Sequence, residues 1–464
     1  VIGLLLGTKY FPMAIWEAYG MLYKFAPIEY FFDWKLAAVS LAVALLCSAG
    51  ITYTSCKAEL QRMPAHLIRP KAPKPGKRVL LERIPSLWNR LSFLRKVAIR
   101  NILLYKKRFF MTVLGVAGCT ALMLAALGIR DSVQNIANDQ FDSIMTFDYN
   151  IAFSDAQSVE DREKFAARYT DELKECVFVC SDDAGVTKGE VTKKVSAIAT
   201  DDRAIENVIN LQLQGEAVDY PKFGEVAVSS KLTKTLGLAV GDSVSINFSP
   251  KKTVDVKVGG VFENYVGDYI YMTAETYSAF FGEEPQYKTA YATTEKEDVY
   301  AVSALLANGE DVASVSVTDD VRTLVSNMMQ SLDYIILLVI ACAAALGFVV
   351  IYNLNNINIT ERSREIATLK VLGFFKKECE TYIFRETLTL TAIGAVLGLA
   401  LGTLLHTFVM NEINVDMVTF KEQIFPLSYI IAFVATFAIA ILVNLMLKRK
   451  IEDINMAESL SSME

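Results

Sequence analysis

The residue types that acid–base, nucleophilic and metal chemistry require are scarce in this chain. Among 464 residues there are two histidines, His66 and His406. Neither a histidine-rich zinc site nor a Ser–His–Asp arrangement can be built from them. No GxxxxGK[ST] segment occurs in this sequence, so it carries no nucleotide-binding loop of that kind. We expect a chain with no catalytic residues, no metal and no cofactor of its own.

Cysteines and paired acids offer little more. None of the seven cysteines forms a CxxC pair. Cys176 and Cys180 lie too far apart for a disulfide if they share a strand, and we expect buried thiols. Four acids occur as neighbouring pairs, and we expect solvated turns there rather than a calcium site: Asp182, Asp183, Asp201 and Asp202.

A patterned charged segment lies within residues 353–386, which we call the hairpin. Glu361 and Glu365 stand one helical turn apart, and an arginine, Arg362 or Arg364, is within reach of each. Pairs of opposite charge at this spacing stabilise a helix. The charges therefore favour a short helix here.

An apolar stripe accompanies these charges at helical spacing and consists of Ile366, Leu369 and Leu372. Gly373 would end the helix. An apolar stripe ringed by charge is suited to docking into a groove on a partner, and association with a lipid surface is the alternative.

Five apolar runs without Asp, Glu, Lys or Arg identify the elements that hold this hairpin. Each has about 18 to 23 residues, enough for a helix to cross the hydrocarbon of a bilayer. The runs are Leu36–Tyr53, Phe109–Ile129, Tyr334–Tyr352, Thr387–Val409 and Phe425–Leu447. The sequence therefore predicts a multi-pass membrane protein.

The charges between the runs predict its orientation. Lys57–Arg108 contains fifteen Lys and Arg against two Glu, which indicates the cytoplasmic side. Alternation of the spans then places the hairpin inside the cell and residues 130–331 outside, as a large outer domain. Alternating strand patterns and short helices predict an α+β fold for this domain.

The sequence predicts a division of the whole chain into segments. We predict 1–56 as the end of a first unit that includes the span 36–53; 57–108 as a cytoplasmic basic linker and amphipathic helix; 109–129, 332–352, 387–409 and 425–447 as spans; 130–331 as the outer domain; 353–386 as the hairpin; 410–424 as a short outer loop; and 448–464 as a cytoplasmic tail.

An internal repeat supports the first segment. Val1–Thr8 matches Val396–Thr403 at six of eight positions, and the same offset aligns the spans that follow. Chance similarity of apolar sequence is the alternative. We expect a tandem two-unit chain whose N-terminal part is missing. In the second copy Gly394, Gly398 and Gly402 recur every fourth residue and are expected to let another helix approach closely.

Two segments resemble a known family. Glu361–Gly373 looks like the cytoplasmic hairpin of the FtsX-like/MacB-like permeases of ABC transporters, and Glu225–Ser245 is similar to part of their extracytoplasmic domain. The resemblance covers Lys96–Asn455 and, through the repeat, Val1–Leu67. It implies an α-helical polytopic membrane protein with a large α+β extracytoplasmic domain of the MacB-like periplasmic core type.

The resemblance also implies a function. The chain would be the permease subunit that couples ATP hydrolysis by a separate cytosolic ATPase, in two copies, to movement of the outer domain. The ATPase would bind ATP and Mg²⁺, and its implied contacts are Glu361, Arg362, Glu365, Lys370 and Gly373.

The sequence is compatible with several functions. Export or extraction of hydrophobic peptides or lipids is the leading function. An FtsX-like regulator of cell-wall hydrolases and a non-transporting receptor or scaffold are the others. Expected partners include membrane lipids and an extracytoplasmic peptide, lipid or protein, but no nucleic acid, and the expected location is the bacterial cell membrane.

Overall fold

The computed structural model describes residues 7, 12–13, 16, 33–61, 106–189, 191–249, 252–309, 311–413 and 418–454. The first repeat copy, Val1–Thr8, and the predicted linker and amphipathic helix fall almost entirely outside these residues.

The described residues form twelve α-helices and eleven strands. The helices are α1 Trp34–Leu60, α2 Lys106–Gln134, α3 Ile136–Asn138, α4 Val159–Arg168, α5 Ile205–Val208, α6 Ser230–Leu236, α7 Ala274–Phe281, α8 Val299–Ala307, α9 Thr318–Glu361, α10 Ser363–Val371, α11 Lys376–Glu412 and α12 Pro426–Glu452. A π-helical segment, Asp139–Ile144, follows α3. The strands are β1 Tyr149–Phe153, β2 Glu175–Lys188, β3 Val191–Ala199, β4 Gln212–Leu213, β5 Glu216–Ala217, β6 Glu225–Ser229, β7 Ser243–Ser249, β8 Lys252–Phe262, β9 Tyr269–Met272, β10 Thr289–Thr293 and β11 Val312–Val317.

Five stretches of helix in the described residues are long and apolar enough to cross a membrane: Trp34–Thr54, Phe109–Ile144, Thr318–Glu361, Lys376–Glu412 and Pro426–Glu452. Each contains one of the predicted apolar runs, except that Phe425 of the last run directly precedes its helix. Several extend well beyond the run, because helix formation continues into polar sequence wherever backbone hydrogen bonds can be kept.

The chain divides into two compact units. The helical unit comprises Val1–Ile129, Ser331–Phe408 and Ile424–Glu464, and the outer domain comprises Arg130–Gln330 together with Val409–Gln423. The segment 410–424, predicted as a separate short loop, therefore packs largely with the outer domain. Val418 forms an antiparallel bridge with Val266, and the amide of Thr419 donates to the carbonyl of Tyr265 at 2.8 Å.

A nine-stranded sheet organises the outer domain in the order β11-β1-β10-β2-β3-β9-β6-β8-β7. The long strand β2 belongs to two parts of this sheet. Its first half pairs with β10 and its second half pairs with β3. Residues 185–187 of β2 also pair with β7, which closes the strands from β2 to β7 into a barrel.

Each part of the sheet has its own apolar core. Inside the barrel, Ile246, Val258 and Ile270 are fully buried. Between the four strands β11, β1, β10 and β2 and the helices α4 and α8, a second core contains Tyr149 and Ile151. The predicted α+β class is confirmed, and its driving force is apolar burial.

Local sequence determined some outer-domain elements and missed others. Strand β6 has the alternating pattern of a strand, and Gly237 ends α6 with a φ of +60°, which glycine adopts without steric cost. Strand β2 was missed, since Asp182 and Asp183 interrupt its apolar pattern. These two acids lie within the strand, opposite Ala197 and Ser196, and the expectation of solvated turns is wrong for them.

Candidate functional site: the hairpin

The hairpin is built from three helices with short connections. Helix α9 ends at Glu361, α10 follows after one residue, and α11 begins at Lys376. Gly373, with a φ of +90°, follows α10 as predicted, a conformation that glycine adopts without steric cost. The Glu378 carboxylate accepts from the amide of Phe375 at 2.9 Å and so caps the start of α11.

A buried ion pair holds the hairpin together. Arg362 Nη1 donates to Glu386 Oε2 at 2.6 Å, and the two side chains are only 3% and 1% exposed. Glu365 adds a second carboxylate, 3.6 Å from Arg362 Nε. The guanidinium of Arg362 is therefore enclosed in this conformation and has an internal role, and its contact with an ATPase stays a prediction.

Lys370 also acts internally. Its ammonium donates to the carbonyls of Ile451, Glu452 and Ile454 at 2.9, 3.0 and 3.2 Å. These carbonyls are at the C-terminal end of α12, where helical carbonyls lack partners and a cation is favoured. Lys370, predicted as a partner contact, thus ties α10 to α12.

Further polar contacts connect the same helix ends. They are Lys448 Nζ to Glu380 Oε2 at 3.3 Å, Asn355 Nδ2 to Asn444 Oδ1 at 3.1 Å, and Lys450 Nζ to Asn356 and Thr360. The ends of α9, α11 and α12 are therefore linked by side chains.

An exposed apolar surface remains at the end of the hairpin. Its members are Val371, Leu372, Phe374 and Phe375, with exposed fractions of 57%, 69%, 46% and 76%. We call these four residues the hairpin tip. Of the predicted stripe, Ile366 is 1% exposed and faces the interior, while Leu369 is half-buried. The predicted contacts Glu361, at the end of α9, and Glu365, within α10, are exposed.

The glycine stripe lies against α2 within the helical unit. A Cβ on Gly394 would come within 2.8 Å of Val116 Cβ, and one on Gly398 within 2.6 Å of Thr120 Cβ. A Cβ on Gly402 would lie 2.9 Å from Leu124 Cβ. The stripe therefore permits close packing of α11 on α2.

No group of three or more His, Cys, Asp or Glu that could hold a metal occurs among the described residues. Among the described residues of the outer domain, the thiol of Cys180 lies 3.4 Å from the carboxylate of Asp182, to which the hydroxyl of Tyr277 also donates at 2.8 Å. Burial and the nearby carboxylate raise the pKa of Cys180 to about 12, so the thiol stays protonated and unreactive near neutral pH.

Sequence reasoning left two features of the hairpin unassigned. Glu386 gives no local signal of pairing with Arg362, because the two residues are 24 positions apart. Phe374 and Phe375 lie outside the helical stripe, so periodicity could not find them. Their signal was composition: two aromatic residues directly after a helix-ending glycine.

Comparison with known proteins identifies two regions. The family model described as FtsX-like permease C-terminal matches residues 337–451, and the MacB-like periplasmic core domain matches residues 109–318. No curated protein sequence matches the chain significantly.

Two solved structures are similar to the outer part of the chain. The extracellular domain of the noncanonic ABC-type transporter YknZ from Gram-positive bacteria has 16% identity and a TM-score of 0.25, covering 36% of this chain and 98% of that one. The periplasmic region of MacB from Actinobacillus actinomycetemcomitans has 13% identity and a TM-score of 0.27, covering 40% of this chain and 94% of that one.

Proposed function

Because the chain belongs to the FtsX-like and MacB-like permeases of ABC-type transporters, we propose that its hairpin binds a separate cytosolic ATPase and transmits the movement of that ATPase. The ATPase, in two copies, binds ATP and Mg²⁺. The movement drives the outer domain on the other side of the bacterial cell membrane, for export or extraction of hydrophobic peptides or lipids.

The hairpin tip is the observation that carries this proposal. Four apolar side chains are exposed directly before the exposed lysines Lys376 and Lys377, and Glu361 and Glu365 are exposed earlier in the same hairpin. Exposed apolar residues surrounded by charge are typical of protein–protein contacts. The ion pair of Arg362 and the contacts of Lys370 give this surface a rigid support, which a force-transmitting contact needs.

A direct test measures association with the cassette ATPase expected from the neighbouring reading frame. Replacing Leu372 or Phe375 with Asp places a charge in the contact, and we expect at least about a tenfold loss of affinity. Val240→Asp is the matched control, because Val240 is 63% exposed on the outer domain. Unchanged binding by both tip variants contradicts the proposed contact.

Coupling needs a second measurement. Gly373→Pro cannot keep a φ of +90°, because proline fixes φ near −65°. We expect the variant complex still to assemble. Its rate of ATP hydrolysis should no longer rise when the complex is reconstituted in lipid. A receptor or scaffold without a transport cycle predicts no stimulation in the wild type either, and a hydrolase regulator predicts hydrolase activation that is lost in Gly373→Pro.

A further inference from the structure

The sheet of the outer domain has one open edge among the described residues. At one end of the strand order, β7 pairs with β2 as well as with β8, so this end is closed. At the other end, β11 pairs only with β1. An edge strand presents unpaired backbone groups to which another extended chain can add.

The register identifies the outward groups. The amide of Thr318 donates to the carbonyl of Asp148 at 2.8 Å, so Thr318 faces β1. Backbone groups alternate in direction along an antiparallel strand. Ser316 therefore also faces β1, while the N–H and C=O groups of Val315 and Val317 face away from it.

This edge carries little of the protection usual for edge strands. Residues 312–317 read Val-Ala-Ser-Val-Ser-Val, with no charge and no proline. A register shift opposite Ala152 and Phe153 interrupts the pairing near Val312. Val317 is only 5% exposed and directly precedes α9, so the available stretch is centred on Val315, between the exposed residues Ser314 and Ser316.

A negatively charged cavity of about 530 Å³ lies at the C-terminal end of β11, where Val317 forms part of its lining. Its lining includes four carboxylates and no basic side chain: Asp148, Glu297, Asp298 and Asp319, beside Val299, Tyr300 and Val317. Desolvation raises the pKa of Asp148, yet the amide of Thr294 donates to its carboxylate at 2.7 Å. A cationic side chain placed here would meet several carboxylates at once.

We propose that the outer domain binds an extended, cationic peptide segment, which adds as a strand to β11 and places a Lys or Arg side chain in this cavity. Backbone hydrogen bonds to the outward N–H and C=O groups of Val315 hold the segment, and the carboxylates select its charge. The proposal rests on the outer domain alone, so it can stand or fall independently of the ATPase contact.

The test uses the full chain in lipid nanodiscs and fluorescein-labelled decapeptides of alternating threonine and valine. One peptide carries lysine at both ends and the other glutamate. We expect the lysine peptide to bind at least about tenfold more tightly in low salt, with the difference shrinking as salt screens the carboxylates. Equal binding of both peptides, or no binding of either, overturns the proposal.

Backbone pairing is tested on the peptide, which avoids folding defects in the protein. Two variants of the lysine peptide carry N-methyl groups on alternate backbone amides. One variant is methylated at the odd-numbered positions and the other at the even-numbered positions. We expect one to lose binding and the other to keep it, because only one face of a strand pairs with an edge. If both bind like the parent peptide, no strand is added.

Protein variants locate the site. Val315→Pro removes one outward donor, and Glu297→Gln with Asp319→Asn removes two charges; each should weaken the lysine peptide by about tenfold or more. Ser316→Ala, whose backbone faces β1, should bind like the wild type. If Val315→Pro instead converts a dimer to a monomer and neither peptide binds, the edge pairs with a second copy and the proposal is wrong.

Discussion

The outer domain and the helical unit are stabilised in different ways. Inside the barrel the buried side chains are mainly apolar, as with Ile246 and Val258. In the helical unit, the hairpin end buries a charged pair, Arg362 and Glu386, and the middle of α11 packs through Gly398.

The surroundings of the two regions explain the difference. In water, removing apolar surface from solvent drives folding. In a bilayer, lipid is as apolar as leucine, so helices associate through close packing and polar contacts instead. The outer domain therefore depends on apolar burial, and the hairpin end depends on its buried polar contacts.

The largest expected effect is at the buried pair. Glu386→Ala leaves the Arg362 guanidinium buried without its strongest partner, and we expect a loss of about 3–5 kcal/mol in the free energy of unfolding, measured by denaturant titration in detergent. Replacing both residues with Met should retain most of the stability. A single variant as stable as the wild type would contradict the role of the pair.

The barrel should respond nearly as strongly, through cavity formation. Ile246→Ala removes a fully buried side chain and should cost about 2–5 kcal/mol. Maleimide labelling of the buried Cys180 in the full chain reports opening of the same core, and its rate should rise. Val240→Ala, at an exposed position, should leave labelling unchanged; equal rates in both variants would rule out an apolar barrel core.

Close packing of α11 on α2 predicts a smaller effect. A Cβ on Gly398 would lie 2.6 Å from Thr120 Cβ and 2.7 Å from the carbonyl of Ala117, so Gly398→Ala should cost about 1–3 kcal/mol in detergent unfolding. Gly118 has nothing within 4 Å of the added atom and is the matched control. If both substitutions are neutral, the glycine stripe does not set the helix spacing.

The smallest effect is expected at Lys370. Lys370→Met removes the donor to the last carbonyls of α12 and should cost about 1 kcal/mol. Hydrogen exchange in the last turn of α12 should quicken by about fivefold. Lys376→Met, at an exposed position, provides the control. Unchanged exchange in Lys370→Met would show that the contact does not hold the helix end.

Sequence patterns recovered the elements whose signals are local. Each of the five apolar runs coincides with a long helix, apart from Phe425, which precedes α12. Ser229 and Gly237 bound α6, because spans and caps depend on neighbouring residues. Pairings between distant segments could not be found this way. Strand β2 depends on partners from three parts of the chain, and its polar residues hide its pattern.

By itself, the sequence determined which segments are apolar enough to enter a bilayer, and where the charged hairpin and the α+β domain lie along the chain. Only the tertiary structure decided which charges of the hairpin are used internally. Arg362 and Lys370 look like surface residues in the sequence, because their partners, Glu386 and the end of α12, are brought near only by the packing of the helices. The same packing leaves Leu372 and Phe375 exposed.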